Sequence, residues 1–252
     1  MPEEQRVAAR VAVVTGGSSG IGAATVQRLR AEGFAVVAGA RRLDRLRAIC
    51  EPAGATALAL DVTDPTSVDA FCAQVLRCDV LVNNAGGALG LEPIAESVDQ
   101  HWRAMWETNV YGLMLMTRAL LPKLIASGNG HIVNIGSIAG IETYPGGAGY
   151  TSAKHAARAI SHTLRLELAG KPVRITEIDP GMVETEFSVV RFEGDRDRAA
   201  NVYEGMTPLT AEDIADCIAW SLTRPKHVNI DELVVRPLAQ ARATIVARNV
   251  GL

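Results

Sequence analysis

Short apolar runs recur along the 252-residue chain at 11–15, 35–40, 56–60, 80–82, 132–135, 173–178 and 233–235. Between them lie stretches with helical spacing. One begins at Ile21, runs through Ala24, Val26 and Leu29, and ends at Glu32-Gly33; another fills 153–168. Strands alternating with helices predict right-handed βαβ units. The expected fold is α/β: a doubly wound parallel sheet of about seven strands with helices on both faces. No internal repeat or low-complexity tract divides the chain, so 1–252 reads as a single domain. The longest polar interruption is 193–198, before a helical 199–204. It follows Pro180-Gly181 beyond a strand end, where ligands bind in such sheets, so 186–208 reads as a lid over the site.

Composition narrows the function. Apolar residues make up 48% and aromatics 4%, so the core is aliphatic and alanine-rich, which suits strands in a parallel sheet covered on both faces. A net charge of −3 gives no basic footprint for nucleic acid. The first ten residues are charged and lack the apolar stretch of a secretory signal, and no run reaches the ~20 residues of a membrane span. A cytoplasmic protein is expected. Cys50, Cys72, Cys78 and Cys217 form no Cys-x-x-Cys pair and read as free thiols, while the five histidines show no ligand spacing, so no metal is expected. A small-molecule ligand remains.

The first strand runs directly into Gly16-Gly17-Ser18-Ser19-Gly20-Ile21-Gly22, which opens a helix. Strand, glycine turn and helix start in that order are what a dinucleotide site requires. The glycines let the backbone approach a pyrophosphate, and the free N–H groups of the helix end bind it. The end of the second strand decides the coenzyme. An acidic residue there would bond the ribose 2′-hydroxyl of NAD. This chain has Gly39-Ala40-Arg41-Arg42 instead, with Asp44 expected beyond reach. Two guanidinium groups suit a 2′-phosphate through charge-assisted bonds, so the expected cofactor is NADP.

Tyr150 and Lys154 fall four residues apart at the start of a helical segment and share a face. A phenol has an ordinary pKa of about 10. An ammonium ~5 Å away, at an effective dielectric near 20, would favour the phenolate by roughly 3 kcal/mol, or about two pKa units. Taken as a pair, they predict a tyrosine that exchanges protons near neutrality.

These motifs together resemble the classical short-chain dehydrogenase/reductase family over nearly the whole chain. Asn83-Asn84-Ala85-Gly86 matches its segment after the fourth strand, and Asn109 its helix asparagine. Ser137, thirteen residues before Tyr150, matches its active-site serine, and Pro180-Gly181 with Thr185 the segment facing the nicotinamide. Asp61-Val62 resembles the pair that contacts adenine, although a carboxylate at a helix start also serves as an N-cap. The resemblance implies a Rossmann-type fold, a catalytic tetrad of Asn109, Ser137, Tyr150 and Lys154, and a homotetramer. It implies cofactor contacts from Gly16, Ser18, Ser19, Gly20, Ile21, Gly22, Arg41, Arg42, Asp61, Val62, Asn84, Ala85, Gly86, Tyr150, Lys154, Pro180, Gly181 and Thr185. Trp102, Met105, Trp106, Val110, Leu113, Met114 and Met116 crowd one stretch that could face a partner or the sheet.

Within the family the chain looks most like the NADP-dependent 3-hydroxy acid dehydrogenases of the serine and allo-threonine type. That likeness lies in Ala88-Leu89-Gly90-Leu91-Glu92-Pro93, in Val190-Arg191-Phe192-Glu193-Gly194-Asp195 and in 227–233 with Arg236-Pro237. A 3-hydroxy acid needs a cation for its carboxylate, and Arg191 on the lid is the candidate. Glu142, five residues after Ser137, is expected to border the pocket, where it would repel a carboxylate or bind an amino group. A serine-like substrate would satisfy both. The rival reading is a general or secondary-metabolite aldehyde/ketone reductase. A non-catalytic NADP-binding regulator would show a broken tetrad, and all four positions are intact.

Overall fold

A computed structural model describes residues 9–249. In chain order the elements are β1 (Val11–Thr15), α1 (Gly20–Ala31), β2 (Ala35–Ala40), α2 (Leu43–Ala53), β3 (Thr56–Ala59), α3 (Pro65–Gln74) and β4 (Val80–Asn83). Next come α4 (Asp99–Trp106), α5 (Gly112–Ala126), β5 (Gly130–Ile135), α6 (Ala148–Glu167) and β6 (Val173–Pro180). The chain then forms α7 (Phe187–Arg191), α8 (Arg196–Asn201), α9 (Ala211–Leu222), β7 (Glu232–Val235), β8 (Gln240–Arg242) and β9 (Ile245–Val246). β1 to β7 form one parallel sheet in the order 3-2-1-4-5-6-7. This is the expected doubly wound architecture. The antiparallel hairpin β8–β9 is a feature the apolar pattern does not announce.

Each strand of the middle of the sheet divides its side chains between two cores. Ala12 and Val14 of β1 pack with Val26 and Leu29 of α1, Leu46 of α2, and Ile214 and Ile218 of α9. Val13, pointing the other way, packs with Phe71 of α3 and with Leu115, Met116, Leu120 and Leu124 of α5. Burying such side chains stabilises each by about 1.5–3 kcal/mol. The helix starts are fixed by local chemistry. Asp64 caps α3 by accepting from Thr66 N at 2.9 Å, with Pro65 in the first turn, and Thr210 and Asp213 form a reciprocal capping box at α9.

α4 and α5 form one rod joined by a π-helical turn, Glu107–Tyr111. The crowded apolar residues of this rod mostly face their own chain. Met105, Val110, Leu113 and Met116 are buried, and Met116 belongs to the second core, while Trp106 is 49% exposed. No helix among the described residues is long and apolar enough to cross a membrane. All four cysteines are free thiols. β1 lies between β2 and β4, so the chain leaves it in opposite directions. That reversal opens a crevice beyond the carboxyl ends of the strands.

Candidate active site

A cleft of about 770 Å³ occupies that crevice. Its lining takes in Gly16, Ser18, Ser19, Gly20 and Ile21 from the first turn, then Arg41, Arg42, Asp61 and Val62. It continues through Asn84, Ala85 and Gly86 to Ser137, Tyr150 and Lys154, and to Pro180, Gly181 and Thr185. Residues the sequence places far apart therefore share one wall.

The first turn is held open by backbone bonds. Gly16 N donates to Gly39 O at 2.8 Å, and Thr15 Oγ1 accepts from the backbone N–H groups of Asn84 and Ala85 at 3.0 and 2.9 Å. Gly22 is not in the lining. A Cβ there would lie 2.2 Å from Gly16 O and 2.5 Å from Asn84 Nδ2, so this glycine lets α1 pack against the turn rather than touching a ligand. At the helix start the Ser19 side chain makes no cap bond and the first turn carries no acid. The free N–H groups and the two arginines fit a phosphate-bearing dinucleotide. Asp44 is fully exposed beside Arg47 and stays outside the cleft. Asp61 caps a turn rather than α3, its Oδ1 accepting from Thr63 N and Oγ1 at 3.0 and 2.7 Å. Burial pushes its carboxyl up, but these bonds and nearby Arg41 outweigh that and hold it below the usual range.

Arg42 is shared. Its Nη2 donates to Ser19 Oγ at 2.8 Å and to Glu186 Oε2 at 3.1 Å, while Arg45 Nη2 reaches Glu186 Oε1 at 2.7 Å. Arg45 first, then Arg42, holds the Glu186 carboxyl below its ordinary value despite some burial. Sequence reading passed over Glu186 because nothing local ties it to residues over a hundred positions away.

At the other end, Tyr150 is 8% exposed, edge-on to Phe187 at 5.6 Å between ring centroids. Lys154 Nζ donates to Ile135 O at 2.8 Å and lies 5.8 Å from the Tyr150 ring centroid. Burial opposes the expected fall in the phenol pKa. It pushes the phenol up, and the Tyr144 phenol adds to this, while a bond with Ser137 and the Arg191 charge only partly oppose it. Lys154 pays for the same burial and is itself pushed down to about 8, with Asp179 and Glu177 countering. Desolvation of both partners works against the attraction between their charges.

Ser137 lies two residues beyond β5 and caps a short turn, its Oγ accepting from Ala139 N at 3.1 Å. Asn109 sits in the π turn and outside the lining. Its Nδ2 donates to Gly87 O and Met105 O at 2.9 and 2.7 Å, and its Oδ1 accepts from Gly87 N at 3.2 Å. A Cβ on Gly86 would meet Asn109 Oδ1 at 2.6 Å and Lys154 Nζ at 3.6 Å, so this loop runs between the two side chains.

Arg191 lines the cleft; Glu142 does not. Arg191 Nε donates to Gly90 O at 2.9 Å and Nη1 to Tyr144 Oη at 3.2 Å, while Nη2 is buried without a partner among the described residues. The expected pocket role of Glu142 is overturned. Its Oε1 accepts from Arg236 Nη2 at 2.8 Å and its Oε2 from Ala243 N at 2.7 Å, so it pins the C-terminal hairpin instead. That hairpin supplies a wall no motif predicts. Gln240, Ala243 and Thr244 line the cleft, and Gln240 Oε1 accepts from Met182 N at 2.9 Å.

The family model described as short chain dehydrogenase matches residues 10–195, most of the chain. The chain belongs to the short-chain dehydrogenase family. Similar to it is an uncharacterized oxidoreductase of Mycobacterium tuberculosis, 60% identical over 235 residues, covering 93% of this chain and 94% of that one. An NADP-dependent 3-hydroxy acid dehydrogenase of Salmonella typhi is 42% identical over 240 residues, covering 92% and 97%. A closed form of serine dehydrogenase complexed with NADP+ superposes with a TM-score of 0.91 at 39% identity, covering 94% and 99%. This short-chain dehydrogenase is therefore an oxidoreductase on a Rossmann-type sheet, as its motifs imply.

Proposed function

We propose that this chain is an NADP(H)-dependent enzyme interconverting an alcohol and a carbonyl by hydride transfer, acting on 3-hydroxy acids of the serine or allo-threonine type in the cytoplasm. One observation carries the reading: a single cleft joins Arg41 and Arg42 at one end to Ser137, Tyr150 and Lys154 at the other. The relatives named NADP-dependent 3-hydroxy acid dehydrogenase and serine dehydrogenase support it. When bound, the nicotinamide supplies or accepts the hydride. The residues of this chain manage the charge on oxygen. Tyr150 donates its proton to the carbonyl oxygen, and Ser137 donates a hydrogen bond to the same atom. Lys154 places a positive charge beside them. Asn109 fixes the loop next to Lys154, with one acceptor position left for a water linking Lys154 to solvent.

Arg191 is the carboxylate anchor, since it lines the lid side of the cleft and its Nη2 has no partner among the described residues. With Glu142 turned away, nothing there repels a carboxylate, and the argument for an amino-bearing substrate loses its residue. Segment 186–208, carrying α7 and α8, acts as the lid. Arg191→Ala is expected to raise KM for 3-hydroxy acids by ~10-fold or more while a neutral alcohol changes little, given about 1.5–3 kcal/mol for a bond to a charged group. Activity on neutral carbonyls alone, indifferent to this change, would identify a general aldehyde/ketone reductase.

We also infer a homotetramer. The half-exposed Trp106 and Tyr111 on the α4–α5 rod, with exposed Leu238 near the end of the chain, offer apolar faces for it. Light scattering at micromolar concentration should give four times the chain mass; a monomer rules it out.

A further inference from the structure

Behind the catalytic side chains lies a group of acids that the proposed chemistry does not use. Glu177 and Asp179 alternate on β6 and point the same way, and both are almost wholly buried, at 1% and 0% exposure. Such acids are costly unless paired. Yet both Glu177 oxygens and Asp179 Oδ2 have no hydrogen-bond donor among the described residues. The nearby arginine is engaged elsewhere: Arg158 Nη2 holds Glu232 of β7, at 2.9 and 3.1 Å, and Glu232 lies beside Glu177 in the strand register. Packing alone does not account for two unpaired acids in the sheet.

Their surroundings suggest a use. Asp179 Oδ1 accepts from Ser137 N at 2.8 Å. Gly136 makes the approach possible, because a Cβ there would lie 2.1 Å from Asp179 Oδ1 and 2.9 Å from Glu177 Oε1. The residue before Gly136, Ile135, is the one whose carbonyl anchors Lys154 Nζ. The two carboxyls thus lie under the stretch of chain that presents Ser137 and holds Lys154.

We propose that Asp179 and Glu177 are positioning residues of this site: Asp179 fixes the Ser137 backbone, and the pair supplies the counter-charge that keeps Lys154 an ammonium as pH rises. The inference rests on the roles given above to Ser137 and Lys154. The charged and titratable groups facing the pair are Glu232 from β7 and Arg158, Lys154 and Tyr150 from α6. Burial first, then Glu177 and Glu232, pushes the Asp179 carboxyl up, while burial pushes Lys154 down, so the two ranges approach one another. As pH rises through the Asp179 range the carboxyl proton leaves, adding negative charge where Lys154 needs it. The ammonium consequently survives to higher pH than it would alone.

The test is the pH dependence of kcat in the intact enzyme with saturating NADPH and a carbonyl substrate. Asp179→Asn retains an acceptor for Ser137 N but no charge. Its alkaline limb should move to lower pH by about one unit or more, since one charge lost within ~12 Å at an effective dielectric near 20 is worth at least ~1.4 kcal/mol. Asp179→Ala removes the acceptor as well and should lose more plateau turnover than Asp179→Asn. Glu177→Gln leaves the Ser137 bond alone and should move the same limb the same way. An unmoved limb in both charge-neutral variants overturns the proposal. So does failure of both to fold, which would assign the pair to stability. Should Ser137→Ala and Tyr150→Phe keep normal turnover, the site assignment itself falls; should they be inactive while the limb stays fixed, only the positioning role falls.

Discussion

Tyr150→Phe is expected to leave the fold and NADPH binding intact while lowering kcat at least ~100-fold, the low end of a general acid's usual contribution. The ring itself stays: phenylalanine keeps the edge contact with Phe187 and the packing with Met105 and Ala139. Only the hydroxyl is lost, together with its bond to Ser137. Thermal unfolding should therefore shift by little, and NADPH fluorescence should titrate as before. Stopped assays of carbonyl reduction read the outcome, and turnover within a few-fold of the parent removes Tyr150 from the mechanism. Because burial pushes the phenol up, the tyrosine stays protonated across the neutral range, and reduction should be held up less by its ionisation than oxidation.

The second large effect concerns coenzyme choice. Replacing Arg41 and Arg42 together with alanine should weaken NADPH by ~100-fold more than NADH, taking roughly 3 kcal/mol for charge-assisted bonds to the 2′-phosphate. Some loss is expected for both coenzymes, since Arg42 also bonds Ser19 in the first turn. The ratio of the two dissociation constants is thus the decisive quantity. Equal weakening would give these arginines a purely structural role.

What the sequence made legible was chemistry carried by neighbours in the chain. The glycine turn, Arg41-Arg42, and the Tyr150/Lys154 spacing each work over a few residues, so their type and order announce them. The strands were legible because their apolar runs are too short for buried helices and alternate with stretches of helical spacing. Side-chain direction was not. Glu142 follows Ser137 closely, yet it turns to Arg236, ninety-four positions away. The β8–β9 hairpin has strands of three and two residues, too short for any periodicity. The upward push on the Tyr150 phenol was hidden for a related reason, since desolvation belongs to the assembled pocket and no pair of residues carries it. Asp179 was hidden because Arg174, Thr176, Glu177 and Asp179 break the apolar run of β6 in a way that reads as solvated, whereas Glu177 and Asp179 are buried.

The phosphate-reading end of the cleft, with Arg41 and Arg42, is built from the first third of the chain, and most of the catalytic and lid end from Ser137 onward. Such a division lets coenzyme preference and substrate range diverge separately under selection, or be redesigned separately. Glu186 is where that independence breaks. It stands at the head of α7 yet is held by Arg42 and Arg45 from the coenzyme side. Converting the protein to NADH by Arg42→Asp would do more than reject a phosphate: it would set one carboxylate against another and loosen the substrate cover. A redesign for NADH should therefore change position 186 together with position 42, and a library that varies the coenzyme strand alone will trade substrate affinity for coenzyme preference.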